Sequence, residues 1–405
     1  MNVTFKLAAP LVAALAIAAC SAGGSSSVPA TGGTALSSQS AHMPQWEARH
    51  QATRACPMVV GKPTCLALNV TGISHLNSPS GLFPSDLETA YDLPSSTGGA
   101  GQLVAIVDAY DNPKIATDLA AYRTQFGLGT ATFNKYNEHG QQSGYPQGST
   151  GWGTEEDLDV DMVSAACPKC SIALIESDGS ITGMEEAEAT AVSLGAHIVS
   201  NSWICYGSTD CGDTAFSTYF DTPGVVYLAA SGDEAYNNIG APSVLDSVVA
   251  VGGSQLSKSG SKYNETVWND AGSGCATGVT KPSWQKDPSC SSRTDADVSS
   301  EAGCSPGVAE YDTYGSGGWI VECGTSAASP LNAGVFALAG NASSQNAGQK
   351  FWTLKKKKRS KDLNYISVGS NGSCGGSYLC TAGTKQFGTY GAPIGWGSPH
   401  GVGAY

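Results

Sequence analysis

The sequence predicts an α/β fold built on a doubly wound, mostly parallel sheet. Two observations predict it. Five short runs are apolar without alternation, as strands buried on both faces are. Helix-like stretches lie between them, which is the order that builds a parallel sheet. The size agrees: 405 residues, 41% hydrophobic, suffice for one large domain with a small appendage.

In chain order, residues 1–20 read as an export signal. Lys6 gives a thin positive start, and Leu7–Ala19 is apolar but short for a membrane span. Leu15-Ala-Ile-Ala-Ala-Cys20 sets small residues before a cysteine, as a bacterial lipobox does, so Cys20 is a candidate lipid acceptor and the chain a candidate lipoprotein. An ordinary cleavage site beside a cysteine reads the same way. Residues 21–80 are a Ser/Gly/Thr-rich tether followed by a short segment carrying Cys56 and Cys65. Residues 81–405 form the main domain. Its strands are Leu103–Val107, Ser171–Ile175, His197–Val199, Val225–Ala229 and Val248–Val251. Its helices include Ile115–Thr124, Glu156–Ala166 and Met184–Leu194. In such a sheet the site gathers at the carboxyl ends of the strands.

The net charge is −13 and the pI about 4.8. An acidic surface argues against nucleic acid or an anionic membrane as partner and suits a soluble, exported monomer. Lys355–Arg359 is a basic run, read as a solvated helix face. Beyond the signal, no segment is long and apolar enough to span a membrane. Setting Cys20 aside, 12 cysteines remain, an even number that an exported chain uses for disulfides. Four close pairs stand out: Cys56 with Cys65, Cys167 with Cys170, Cys205 with Cys211, and Cys374 with Cys380. Cys275 with Cys290, and Cys304 with Cys323, complete the set. With six histidines and no Cys-x-x-Cys near one, zinc is excluded; no cofactor is expected.

Three motifs carry chemistry. Gly324-Thr-Ser326-Ala-Ala-Ser-Pro330 presents one serine on a tight turn before a helix, the seat of a nucleophile. A serine needs a base. Glu155-Glu-Asp-Leu-Asp159-Val-Asp161 puts Glu155 and Asp159 on one helical face, at i and i+4. Buried together, they can share a proton and act as a base in acid. Left exposed, they are an acidic helix start favoured by the dipole, and Asp157 and Asp161 are read as that solvated face. Ser231-Gly-Asp233 follows a strand, so a protonated Asp233 could donate to an oxyanion; in the bland alternative it is a turn residue.

These motifs, in this order, resemble the sedolisin family, serine-carboxyl peptidases on a subtilisin-like fold. The resemblance covers residues 82–405. It implies Ser326 as nucleophile, Glu155 and Asp159 as catalytic acids, Asp233 as oxyanion donor and protein or peptide substrates. Asp108 falls where the family has an outer acid, and Arg293 with Asp297–Ser299 fits a segment before the nucleophile. Two departures stand out. The stretch before the main domain is short for the family's prodomain. The family's C-terminal calcium site lacks its acids, since Tyr365 precedes Ile366-Ser367 and Phe387–Gly395 contains none. Two rivals remain: a subtilisin-type Asp108/His139/Ser326 triad, although His139 opens a loop, and a non-catalytic surface binding protein on the same scaffold.

Overall fold

Alternate residues of the central strands serve opposite cores. The computed structural model describes residues 1, 44–73, 77–207, 211, 214–342, 347–383 and 390–405. The export signal, Cys20 and most of the tether lie outside these residues. His42–Tyr405 make one compact unit.

Its strands in chain order are β1 (Ala52–Arg54), β2 (Thr64–Cys65), β3 (Leu68–Val70), β4 (Leu103–Ala109), β5 (Thr132–Asn137), β6 (Ser171–Ser177) and β7 (Ile198–Asn201). Then follow β8 (Trp203–Ile204), β9 (Val226–Ala230), β10 (Val248–Ser259), β11 (Lys262–Val267), β12 (Gly274–Thr280), β13 (Ser292–Asp295), β14 (Val298–Glu301), β15 (Val308–Asp312) and β16 (Gly318–Cys323). The helices are α1 (Gln45–Ala48), α2 (Pro84–Tyr91), α3 (Ile115–Phe126), α4 (Thr150–Ala166), α5 (Ile181–Ser193), α6 (Thr214–Thr218), α7 (Thr325–Ala339), α8 (Ala347–Thr353) and α9 (Lys356–Asp362).

The main sheet runs β11-β10-β9-β7-β4-β6-β5, with β14 also pairing β10. Only the β10–β11 pair is antiparallel. Side chains alternate along a strand. Val104 and Ile106 therefore join one core with α4 and α7, while Ala105 and Val107 join the other with α5. This is the doubly wound, subtilisin-like arrangement that the continuous apolar runs predict. A second sheet, β1-β3-β16-β15, ties residues 52–70 to the body of the fold, and β12–β13 form a separate hairpin.

The elements extend beyond the sequence expectations. α4 starts at Thr150, not Glu156, because the Ser149 side chain accepts from the Trp152 N–H and caps it. Its whole length from Trp152 is buried, so the tertiary core offsets the low helix propensity of Gly151 and Gly153. The structure closes all six disulfides in the expected pairing. Lys356–Arg359 lie on α9, where the lysines are exposed and Arg359 stacks on Trp396.

One expectation fails. The acidic composition does not describe the surface, because among the described residues 20 Asp and Glu are buried, of 34 in the chain. Asp157 and Asp161 are among them, not on a solvated face: α4 packs against α3, α7 and β15. On β15, Glu310 and Asp312 point to the same side, and Glu322 stands opposite Val308 on that side. A layer of carboxyls thus lies beneath α4, with both oxygens of Glu310 and Glu322 lacking a hydrogen-bond partner. Burial drives Asp157, Asp161, Glu310 and Glu322 well above the usual carboxyl range, and neighbouring carboxyl charge adds to it.

Candidate active site

The Gly324 turn sets the nucleophile. Its φ of 112° is a conformation that glycine tolerates best. A Cβ there would come 2.5 Å from the Leu66 carbonyl oxygen and 2.7 Å from Asp233 Oδ2. Behind it α7 begins, with Ser326 in its first turn. Pro330, four residues on, has no N–H to give the Ser326 carbonyl. That carbonyl lies instead 3.4 Å from Ser202 Oγ.

Ser202 links two of the expected residues. Its Oγ is also 2.7 Å from Asp159 Oδ1. Ser202 lies between β7 and β8, at the carboxyl end of the sheet, and its own carbonyl accepts from Ser326 Oγ at 3.3 Å. The Ser326 hydroxyl is also near enough to Glu155 to pull its pKa down. Glu155 nonetheless stands well above the usual range. Burial is the main cause, the Asp108 charge adds to it, and the amides of Ala67 and Leu66 oppose it. Asp159 is raised by burial first, then by Asp108 and Glu155, with Ser202 opposing. Two buried carboxyls one helical turn apart favour holding a proton between them, which the i,i+4 spacing anticipates. Ser202 Oγ donates to Asp159 Oδ1, and so holds that carboxyl in place beside Ser326.

Asp108 ends β4 beneath this pair. It is fully buried, neither oxygen has a hydrogen-bond partner, and burial pushes its pKa up to about 8. Its charge is felt by both Glu155 and Asp159, which suits the position where the resemblance expects an outer acid.

Asp233 follows β9 and closes the site from the other side. Its Oδ1 accepts from the Thr325 N–H at 2.8 Å and the Thr325 hydroxyl at 2.7 Å. Its Oδ2 is buried without a partner. Burial raises the pKa to about 7; Thr325 and Arg54 oppose the rise and Asp270 adds to it. A carboxylic acid held by one oxygen, with the other unpartnered, has the chemistry an oxyanion donor needs.

His139 does not join this group. It sits on an exposed turn with Nδ1 3.2 Å from Glu186 and its N–H on Asn137 Oδ1. Arg293 and Asp297, both fully buried, form a two-pronged ion pair at 3.0 and 2.6 Å. Asp297 also takes the Ala250 N–H, so the pair fastens β10 to the β13–β14 connection. That is scaffolding, distinct from the reacting groups.

Sequence reasoning missed four contributors. Ser202 carries no periodic signal. Thr325 was visible only as part of the glycine turn. Leu66 and Ala67 contribute through main-chain N–H groups, at 2.7 and 2.6 Å from Glu155 Oε2, which no residue type announces.

For metals, the family's calcium position does not fit. Ile366 packs with Val267, Ala382 and Ile394 in an apolar cluster, and the exposed Tyr365 donates to the Gly383 carbonyl. Residues 363–405 contain no Asp or Glu. Part of the Phe387–Gly395 loop lies outside the described residues. Elsewhere Asp118, Asp157 and Asp312 bring carboxylate oxygens within 4.8 Å of one another. Thr313, Asn112, Thr154 and Gly315 already donate to them.

Comparison with known proteins agrees with this geometry. Residues 129–369 match the Subtilase family, a span that holds Glu155, Asp159, Asp233 and Ser326. The chain is similar to kumamolisin from Bacillus sp. (strain MN-32), 31% identical over 304 residues, covering 65% of this chain and 53% of that protein. It is also similar to sedolisin from Pseudomonas sp. (strain 101), 28% identical over 389 residues, covering 85% of this chain and 64% of that protein. The chain therefore spans between half and two thirds of the length of these relatives. Among solved structures, Pseudomonas sedolisin, a serine-carboxyl proteinase complexed with two molecules of pseudo-iodotyrostatin, superposes with a TM-score of 0.66. The identity is 25%, over 80% of this chain and 96% of that one.

Proposed function

Because the chain belongs to the subtilase family and, within it, to the sedolisins, we propose that it is a serine-carboxyl peptidase working in acid. The observation that carries this reading is the buried cluster of Ser326, Glu155 and Asp159, with both acids one turn apart on α4 and Ser202 joining Asp159 to Ser326. No histidine among the described residues meets Ser326.

The mechanism is acyl transfer. Glu155 takes the Ser326 proton as Oγ attacks a peptide carbonyl. Asp159, fixed by Ser202, holds Glu155 in position. Asp233, protonated below about pH 7, donates to the oxyanion together with the Ser326 N–H. Glu155 returns the proton to the leaving amine, and water then hydrolyses the acyl-enzyme by the reverse sequence. No cofactor takes part. The chain acts as a monomer on protein or peptide substrates, exported by residues 1–20 with lipid on Cys20.

The test is kcat/KM against pH on a peptide substrate, for the parent and Ser326→Ala. The expected maximum lies at roughly pH 3–5, where Asp233 is protonated and the Glu155–Asp159 pair keeps a basic site. Ser326→Ala is expected to fold and to have essentially no activity. A variant within tenfold of the parent, or a parent most active near pH 8, would overturn the reading.

A further inference from the structure

The basic run that the catalytic groups leave unused lies in a stretch of reversed charge. Residues 323–405 hold one acid, Asp362, against eight Lys and Arg, in a chain whose net charge is −13. Lys355, Lys356, Lys357, Lys358 and Lys361 are exposed on and just before α9. Lys361 lies 3.5 Å from Asp362. Among the described residues no ion pair joins the other four. Arg359 is held in place by the Trp396 ring, 3.5 Å from its centroid, with Nη1 buried and unpartnered. Lys350, on α8, adds to the cluster: burial first, and then the Lys358 charge, bring its pKa down to about 8. Two exposed acids approach from other segments, Asp246 beside Gly348 and Asp92 beside Gly401. Neither forms an ion pair among the described residues.

Beyond the lysines the surface turns apolar. Apart from Met1, the exposed large apolar side chains among the described residues are Val59, Val60, Tyr365 and Val368. Tyr365 is 50% exposed and Val368 61%, and both follow directly on α9. This strip ends where the chain from Cys20 enters the fold. The Gln45 N–H donates to Asp270 Oδ1 at 2.6 Å, and the Ala235 N–H to the Asp270 carbonyl at 2.8 Å. The Tyr236 N–H then donates to the Asn371 carbonyl at 3.1 Å. Val267, shortly before Asp270, donates its N–H to the Val368 carbonyl at 2.9 Å. A lipid on Cys20 would therefore draw the fold toward a bilayer by the side that carries Val368.

We propose that the five exposed lysines around α9, with Tyr365 and Val368, form a face that docks on an anionic lipid surface. Lysines beside an aromatic and an aliphatic side chain suit headgroup phosphates and the upper acyl layer. One lipid chain alone holds a protein only marginally, and a basic cluster is the second signal that makes the attachment stable. The proposal goes beyond the peptidase reading and uses none of its chemistry. It draws on the lipid reading of Cys20 only for the choice of a bilayer as partner. Docked so, the folded unit rests on the lipid instead of standing off at the length of its tether.

The experiment uses the processed chain from Ser21, which has neither signal nor lipid. It is sedimented at about pH 6 and low salt with vesicles of phosphatidylglycerol and phosphatidylcholine in equal parts. The expected result is co-sedimentation with these vesicles and none with pure phosphatidylcholine, lost as salt rises to about 0.5 M. Lys355→Gln, Lys356→Gln, Lys357→Gln and Lys358→Gln combined are expected to weaken binding roughly 100-fold or more. Val368→Asp is expected to weaken it roughly 10-fold, with Val368→Ser as the milder second variant. Thermal melts show that the variants fold, whether or not the peptidase reading holds. Vesicle binding equal in the parent and the four-lysine variant would overturn the proposal. So would lysine-dependent capture by soluble polygalacturonate with none by the vesicles. A parent that binds the vesicles but hydrolyses no peptide would sustain this face and overturn only the peptidase reading.

Discussion

Asp233→Asn tests the electrostatics of the site. The native pKa of about 7 lies some three units above the ordinary 3.8. Because the folded value is raised, its stabilising contribution is complete below about pH 3.8 and is lost as pH climbs through 7. At about 1.36 kcal/mol per unit, ionising this fully buried group costs on the order of 4 kcal/mol between pH 4 and pH 8. Asparagine does not titrate, keeps a donor for the oxyanion and can still accept from Thr325. The stability gap between variant and parent should therefore move by about 4 kcal/mol in the variant's favour across that range. For a chain of this length, that is roughly 5 °C in Tm. Scanning calorimetry of both proteins at successive pH values measures it. The alkaline fall of kcat/KM, centred near the Asp233 pKa in the parent, should flatten in the variant. A Tm gap that stays constant within about 1 °C from pH 4 to pH 8 would refute the claim that Asp233 is held protonated.

Three further outcomes are expected. Ser202→Ala should lower kcat with little change in KM, and should cost about 1–3 kcal/mol because Asp159 and the Ser326 carbonyl lose their partner; thermal melts and steady-state kinetics check both, and an unchanged kcat would remove Ser202 from the site. A calcium chelator should leave Tm unaltered, since Ile366 lies in an apolar cluster and residues 363–405 carry no acid; a calcium-reversible drop would reveal a site built from other oxygens. Non-reducing peptide mapping should recover six disulfides in the pairing described; free thiols at more than one position in folded protein would contradict it.

What could be read from the sequence follows a physical divide. Side-chain chemistry on regular elements was legible. Apolar runs such as Leu103–Val107 announce strands buried on both faces, and the Glu155–Asp159 spacing puts both acids on one side of α4. Main-chain chemistry was not legible. The amides of Leu66 and Ala67 reach Glu155 only because β2 is aligned beside β8, a long-range pairing without a local signature. The acids of α4 misled for another reason. Asp157 and Asp161 read as solvated because charge normally faces water, yet here the helix from Trp152 lies inside, where burial raises their pKa.

The buried carboxyls also change what the molecule shows to its surroundings. The formal charge of −13 counts every acid as if it faced water. With twenty acids interred, along with Arg123 and Arg293, at most 14 acids and at most 19 bases remain for the exterior. The outer surface therefore holds far fewer acids than the composition suggests. In native isoelectric focusing the folded protein should band well above its sequence pI of about 4.8, and unfolding should carry it back down. In acid, where the remaining outer carboxylates also discharge, the exterior becomes cationic. It would then attract anionic polymers such as acidic polysaccharides, a class of surface that the composition argued against.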